Sequence, residues 1–441
     1  MEKIKMEESY PQLTEAGVAK NDKKTFKESG ISAEKIAKKS KKANKIARKK
    51  QNIGRSSKKN VIFTTIGVLG ILGGIGCALV PFLLPQETLT DIDFPKLPSD
   101  SEDVNSKYSN LTGLPLADGV AQDAPTYCIQ TPNGTDGARP QAGLTQAGVV
   151  FEAIAEAGIT RFAAIYQQPT SAVIGPIRSL RIYYLEWDTP FDCTIVHAGG
   201  ADDALAAVSN GGYKDLSEDY SYMYRGTNSA RLWNNLFTTS ANLARFSSEH
   251  GYTTSNINGF ARMTPEESKH DLIDRNVAEK LVITEPATKN TSEVSPQVTQ
   301  IALNFGSFAS FNVVYNYNTE NNTYKRSYGN GAPHEVYSCP DGDLGEINPE
   351  NTCNLVQMAP AVVVALVVPE HKASDNYHED ISVLGSGDAY IFQNGYSVKG
   401  KWSKGTDAEQ IKFFDEDGKE LKLATGQTFV SAVPNYGSVE Y

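Results

Sequence analysis

Two carboxylates and four guanidiniums dominate one short region of this 441-residue chain. Glu152 and Glu156 stand four apart in VVFEAIAEAG, with Arg139 before them and Arg161, Arg178 and Arg181 after. Asp192 and His197 follow in DCTIVHAGG, which ends at Gly199 and Gly200. Guanidiniums grip phosphate or carboxylate bidentately, and a glycine corner running into a helix offers bare N–H groups to an anion. The four arginines with Ser179, Gly199 and Gly200 therefore form a candidate anion-binding set. Glu152, Glu156, His197 and Asp192 form a candidate catalytic set for cleaving or transferring a glycan. Carboxylates on successive turns of one helix point the same way, however, whereas glycosidases place theirs on opposite sides of the scissile bond. A third reading makes the same charges an ion-pair network that only holds helix to strand.

The local pattern says which elements position these groups. Thr145 before QAGVVFEAIAEAG, with Gly158 ending it, predicts a helix over 146–158. ITRFAAIY, Ile159 to Tyr166, alternates as a strand with Ile159, Arg161, Ala163 and Ile165 on one face. Ser179 reads as the N-cap of a helix that holds Arg181, and Asp202 as the cap of the helix after the glycine corner. Another helix is expected at Ser240–His250, ended by Gly251. From Thr264 to Glu293 the chain is polar and partly helical. Beyond Val298, alternating segments such as FNVVYNYN, YKRSY, APAVVVALVV and YSVKGKW read as antiparallel strands, with an Asp417-Gly418 hairpin turn.

Other chemistries lack their signatures. There is no GxSxG, HExxH, P-loop or dinucleotide fingerprint, so no cofactor is expected. The six histidines show no ligand spacing and there is no CxxC, so no metal site is expected either. DGDLGE, Asp341 to Glu346, lacks the EF-hand order and reads as a solvated turn.

Charge divides the chain. Residues 1–59 hold 18 Lys or Arg against seven Asp or Glu, although the whole chain is formally -10. Such a basic, apolar-poor tail cannot bury enough surface to fold alone. Residues 60–85, NVIFTTIGVLGILGGIGCALVPFLLP, carry no charge and are long enough for a transmembrane helix. The lysines before it place the tail in the cytoplasm and everything after Pro85 outside. A Pro-, Asp- and Ser-rich linker over 86–108 leads to the folded part. Outside lie Cys128, Cys193, Cys339 and Cys353, an even set suited to disulfides; Cys339 and Cys353 close a short loop, and Cys128 with Cys193 is the remaining pairing. The acidity of this outer part argues against nucleic acid as a partner.

With RPQAGLTQAGVVFEA, GITRF, IGPIRSLR and HAGG in that order, and GSGDAYIF, GKW and DEDGKELKLATGQTFV later, the chain resembles the YerB-like family. These are bacterial extracytoplasmic proteins, many of them lipoproteins, of unknown function. The resemblance covers about Leu111 to Tyr441 and implies an α+β layered architecture. A mixed α/β part over 109–263, a connection over 264–296 and a mostly antiparallel β part over 297–441 are expected behind the single transmembrane helix. It supplies no activity. Two departures stand out: the family usually anchors by a lipid on an N-terminal cysteine, and it tends to carry Pro-His-Asn where this chain has Trp233, Asn234 and Asn235. The combined expectation is a membrane-anchored envelope protein that binds an anionic cell-wall component, a glycan or lipid-linked precursor. The alternatives are a structural or protein-interaction module, and a glycan hydrolase or transferase.

Overall fold

The computed structural model describes residues 108–441 apart from 232, 285–296, 341–346 and 376. The basic tail, the span over 60–85, nearly all of the linker and the DGDLGE loop therefore lie outside the described residues. Among the described residues no helix is long and apolar enough to cross a membrane.

The first part contributes strands Thr126–Pro132 (β1), Val149–Glu156 (β2), Ile159–Gln167 (β3), Thr194–Val196 (β4) and Asp215–Leu216 (β5). The later part contributes Gln300–Asn304 (β6), Val313–Asn318 (β7), Thr323–Tyr328 (β8), Val362–Val368 (β9) and Gly385–Gln393 (β10). Tyr396–Lys404 (β11), Lys412–Asp415 (β12), Thr428–Pro434 (β13) and Ser438–Glu440 (β14) complete the strands of the two larger sheets, beside which short two-stranded pairs also form.

A single ten-stranded mixed sheet runs through both parts, in the order β12-β11-β10-β9-β13-β2-β3-β1-β4-β5. Its seam is the parallel pairing of β13 with β2, in which Ser431 lies opposite Glu152. A second, antiparallel sheet of four strands has the order β8-β7-β6-β14.

The helix expected over 146–158 is strand β2. All eight of its residues are buried, so the polar-out alternation that marks a half-exposed strand is missing. Alanines and glutamates at helical spacing then imitated an amphipathic helix. Strand β3 lies where the alternation placed it.

The described residues include four helices of seven residues or more, Ile182–Asp188 (α1), Asp202–Gly211 (α2), Ser240–His250 (α3) and Pro265–Thr284 (α4). On one face of the large sheet, Phe151, Ala163 and Ile165 pack with Tyr184 and Trp187 of α1, and the same core continues through Leu366 and Val430. On the other, Val150, Phe162 and Phe429 meet Leu243 and Phe246 of α3, while Val363 and Phe392 meet Ile301 and Tyr315 of the small sheet.

Two expected caps are displaced. Arg181, not Ser179, is the N-cap of α1, because Leu180 is held extended by bonds from its N–H to Gly199 O and from Ala201 N–H to its own carbonyl. Ala201, not Asp202, caps α2. Helix α3 ends at Gly251, φ 74, as expected, and its N-cap is Thr239, which accepts from Asn242 N at 2.9 Å. Both cysteine pairs close: Cys128 of β1 with Cys193 just before β4, and Cys339 with Cys353.

Candidate functional site

The site begins with an irregularity at the end of β2. Pairing with β3 is regular from Val149 opposite Ile165 to Ile154 opposite Thr160, after which Glu156 lies opposite Ile159. Ala155 is the extra residue of a bulge. Side chains alternate along a strand, so a regular β2 would put Glu156 on the face of Glu152. The bulge turns Glu156 over, to the face of Ala153 and Arg161. The turn that follows has Ala157 at φ 50 and Gly158 at φ 76, the left-handed pair a tight two-residue hairpin needs.

Glu156 and Glu152 thus look into different environments. Glu156 accepts from Arg161 and, at 2.8 Å, from Arg181, and all three side chains are nearly buried. Burial alone raises a carboxyl pKa, but these two guanidiniums overcome it and hold Glu156 below the usual carboxylate value. Arg161 also donates to Ser179 O at 3.1 Å, and Arg181 to Leu180 O at 3.0 Å. Arg178 and Ser179 are half-buried and Gly199 is exposed. Among the described residues the Arg178 side chain makes no hydrogen bond or ion pair, although its charge reaches Arg161 and Glu218. The N–H groups of Ser179, Gly199 and Gly200 likewise have no protein acceptor among the described residues.

Glu152 points to the opposite face, into a fully buried network the sequence reading did not foresee. Arg326 of β8 holds both of its oxygens, at 2.8 and 2.9 Å, and Thr160 and Ser431 donate to it at 3.1 and 3.3 Å. Arg326 also donates to His334 Nδ1, and His334 Nε2 donates to Gln141 Oε1 at 3.1 Å. Burial, reinforced by Arg326 and Arg139, drives the His334 pKa well below that of an ordinary histidine. Arg326 was legible in YKRSY. An arginine two residues from a tyrosine on each side of an alternating strand shares their inward face, and Tyr324, Arg326 and Tyr328 are indeed all buried.

The remaining candidates are engaged elsewhere. Arg139 leaves its cluster for the Glu152 face, where it stacks on Tyr328 at 3.6 Å and donates to Asn133 Oδ1 and Ser310 O, both at 2.9 Å. Burial lowers its pKa to about 10. His197 is buried between Gly199 O at 2.8 Å and Asp215 Oδ1 at 2.9 Å. Asp192 bonds Lys214 at 3.0 Å and Asn256 N at 2.8 Å. The two glutamates and these two residues do not converge on one point, and both glutamates are already clamped by guanidiniums. No cluster of metal-ligating residues occurs among the described residues.

The comparisons with known proteins agree with one another. The family model described as "Protein of unknown function (DUF3048) N-terminal domain" matches residues 111–253, and that of its C-terminal domain matches residues 301–430. A curated Bacillus subtilis (strain 168) protein named "Putative lipoprotein YerB" is 26% identical over 329 residues, 74% of this chain and 86% of its own length. The crystal structure of YerB protein from Bacillus subtilis shares the fold with a TM-score of 0.57 at 22% identity, covering 76% of this chain and 99% of that one. The chain belongs to the DUF3048 family, the family of the YerB protein.

Proposed function

We propose that this protein is a single-pass, membrane-anchored envelope factor that binds an anionic cell-wall component at the edge marked by Arg178, Ser179, Gly199 and Gly200. Its N-terminus lies in the cytoplasm and its DUF3048 domain outside. The carrying observation is a charge excess: Arg161 and Arg181 share one carboxylate, Glu156, while Arg178 beside them has no ion-pair partner among the described residues. A half-exposed guanidinium next to three unpaired N–H groups suits a phosphate or carboxylate. Asp202 and Asp203 occupy the first turn of α2, so the reading rests on Arg178 and the N–H groups and not on the helix dipole.

The second reading is a structural or interaction module without a ligand. It is favoured for Arg326 and Arg161, both of whose terminal guanidinium nitrogens donate to protein acceptors. A hydrolase or transferase receives less support, because Glu152 and Glu156 face opposite sides of the sheet and both accept from arginine. Binding of polyphosphate and polygalacturonate to the full-length chain in detergent separates these readings. Arg178→Lys keeps the charge but loses the fork, and is expected to abolish binding with an unchanged melting temperature. A parallel loss of stability would favour the structural reading.

A further inference from the structure

The later part of the chain brings exposed aromatic rings to the same end of the sheet. His378 forms an isolated bridge with Glu156, which sets the hairpin of Glu370–Lys372 and Glu379–Ile381 against the arginine cluster. Tyr183, beneath the bulge, lies within electrostatic reach of Glu156, Arg161, Arg181 and Glu370 at once. Tyr436 donates to Glu370 Oε1 at 2.8 Å, and its ring lies against Gly306, where a Cβ would come within 2.5 Å of it. Ser307 donates to the carbonyl of Gly158, in the turn that follows Glu156, and so carries Phe308 to that turn. Phe308 and Tyr436 nevertheless remain 53% and 57% exposed, and Tyr377, next to His378, 39%.

Three large rings kept on the surface at the end of the sheet that carries Arg178 need a reason, since each leaves apolar area in water, and the hairpin beside them adds the carboxylates Glu370, Glu379 and Asp380 as well as Lys372. Tyr436 is also held in place at both its hydroxyl and one ring edge, so little rotamer freedom remains to be lost on binding. Flat, pre-positioned rings with a few polar groups alongside are how shallow sites take an amphipathic ligand. A pyranose offers such a surface, with C–H groups on its faces and hydroxyls at its rim.

We propose that this end of the sheet is a groove for an acidic glycan strand, with Phe308 and Tyr436 stacking on sugar faces while Arg178 takes a phosphate or carboxylate of the same strand. The inference rests on the anion-site reading and adds to it the sugar. It accounts for elements of the first and later parts meeting at one edge, because neither supplies both the charge and the rings.

The test compares three probes on the full-length chain in detergent: polygalacturonate, which has both features, polyphosphate, which has charge without sugar, and chitohexaose, which has sugar without charge. Polygalacturonate is expected to bind about tenfold tighter than either of the others at equal ionic strength. Phe308→Ala should bring polygalacturonate down to the polyphosphate level and leave polyphosphate unchanged, and Tyr436→Phe, which keeps the ring but frees it from Glu370, should lose less than Tyr436→Ala. Arg178→Ala, which loses both the fork and the charge, should abolish binding of both polyanions. Equal binding of the two polyanions, insensitive to Phe308→Ala, overturns the glycan groove while sparing the anion site. Binding of neither polyanion overturns both, and chitohexaose binding as tightly as polygalacturonate removes the role given to Arg178.

Discussion

Arg326 of β8 and Glu152 of β2 form a two-pronged ion pair at 2.8 and 2.9 Å in which neither side chain has any solvent exposure. The two residues come from different matched regions of the family, 174 positions apart. The pair therefore ties the later part of the chain to the seam of the sheet. Breaking one half leaves a bare charge in the core, at a cost of about 3–5 kcal/mol, whereas removing both charges can be nearly neutral. Arg326→Met should lower urea stability by that amount, and Arg326→Met combined with Glu152→Leu should restore most of it. If the double variant were no more stable than the single, the pair would not be the unit that matters.

His334 lies in the same network and sets an acid limit. Its folded pKa is depressed by burial and then by Arg326 and Arg139. The unfolded chain thus binds a proton that the folded chain refuses. This contribution is complete above the ordinary histidine value of about 6.5 and is lost as the pH falls below it. The pH profile of stability should therefore decline below that point, and His334→Gln, which cannot titrate, should flatten the decline. An unchanged profile in the variant would assign the decline to other groups.

Asp188 of α1 acts in the opposite direction. It is fully buried, accepts from Gln130 Nε2 at 2.8 Å, and has no partner for Oδ1, just as Gln130 has none for Oε1. Burial raises its pKa well above the usual value. The folded state then holds a proton that the unfolded state releases, so its stability penalty starts near the unfolded value of about 3.9 and grows as the pH rises towards the folded one. Asp188→Asn supplies an uncharged donor at every pH and should be more stable than the native chain at pH 7, with the difference vanishing near pH 4. A variant less stable at pH 7 would mean that the charged form is the native one.

The disulfides should rank by the loops they close. Cys128–Cys193 spans 65 positions and Cys339–Cys353 spans 14. Chain-entropy reasoning gives about 4 kcal/mol for the longer and about 3 kcal/mol for the shorter. Replacing Cys128 and Cys193 together by alanine should therefore cost more, by chemical denaturation, than replacing Cys339 and Cys353. The reverse order would show that packing around the shorter loop outweighs chain entropy.

What could be read ahead of the structure divides along physical lines. Strand β3 and the end of α3 at Gly251 rest on local signals, alternation and capping chemistry, and these were legible. Strand β2 was not, because a strand buried on both faces loses the period that identifies it. The bulge at Ala155 leaves no mark in composition, yet it decides that Glu156 meets Arg161 and Arg181 while Glu152 meets Arg326. The β2–β13 seam joins Val149 to Thr428, a pairing that no local pattern can announce. Of the predicted anion set, Arg161, Arg178, Ser179, Arg181, Gly199 and Gly200 share one neighbourhood, since the extended 178–180 segment pairs with 198–200. Arg139, in the loop after β1, joins Asn133 and Tyr328 on the Glu152 side of the sheet, which the bulge at Ala155 divides from the Glu156 side.

The central claim is that Arg178 and the N–H groups beside it bind an anion, and thermal melting of the full-length chain in detergent tests it most directly. At about 100 times its dissociation constant a ligand stabilises the native state by about 2.7 kcal/mol, a readable shift. Polygalacturonate is expected to raise the melting temperature of the native chain and to leave that of Arg178→Lys unmoved, the two unliganded proteins melting together. No shift with either polygalacturonate or polyphosphate, or an equal shift in Arg178→Lys, would contradict the account.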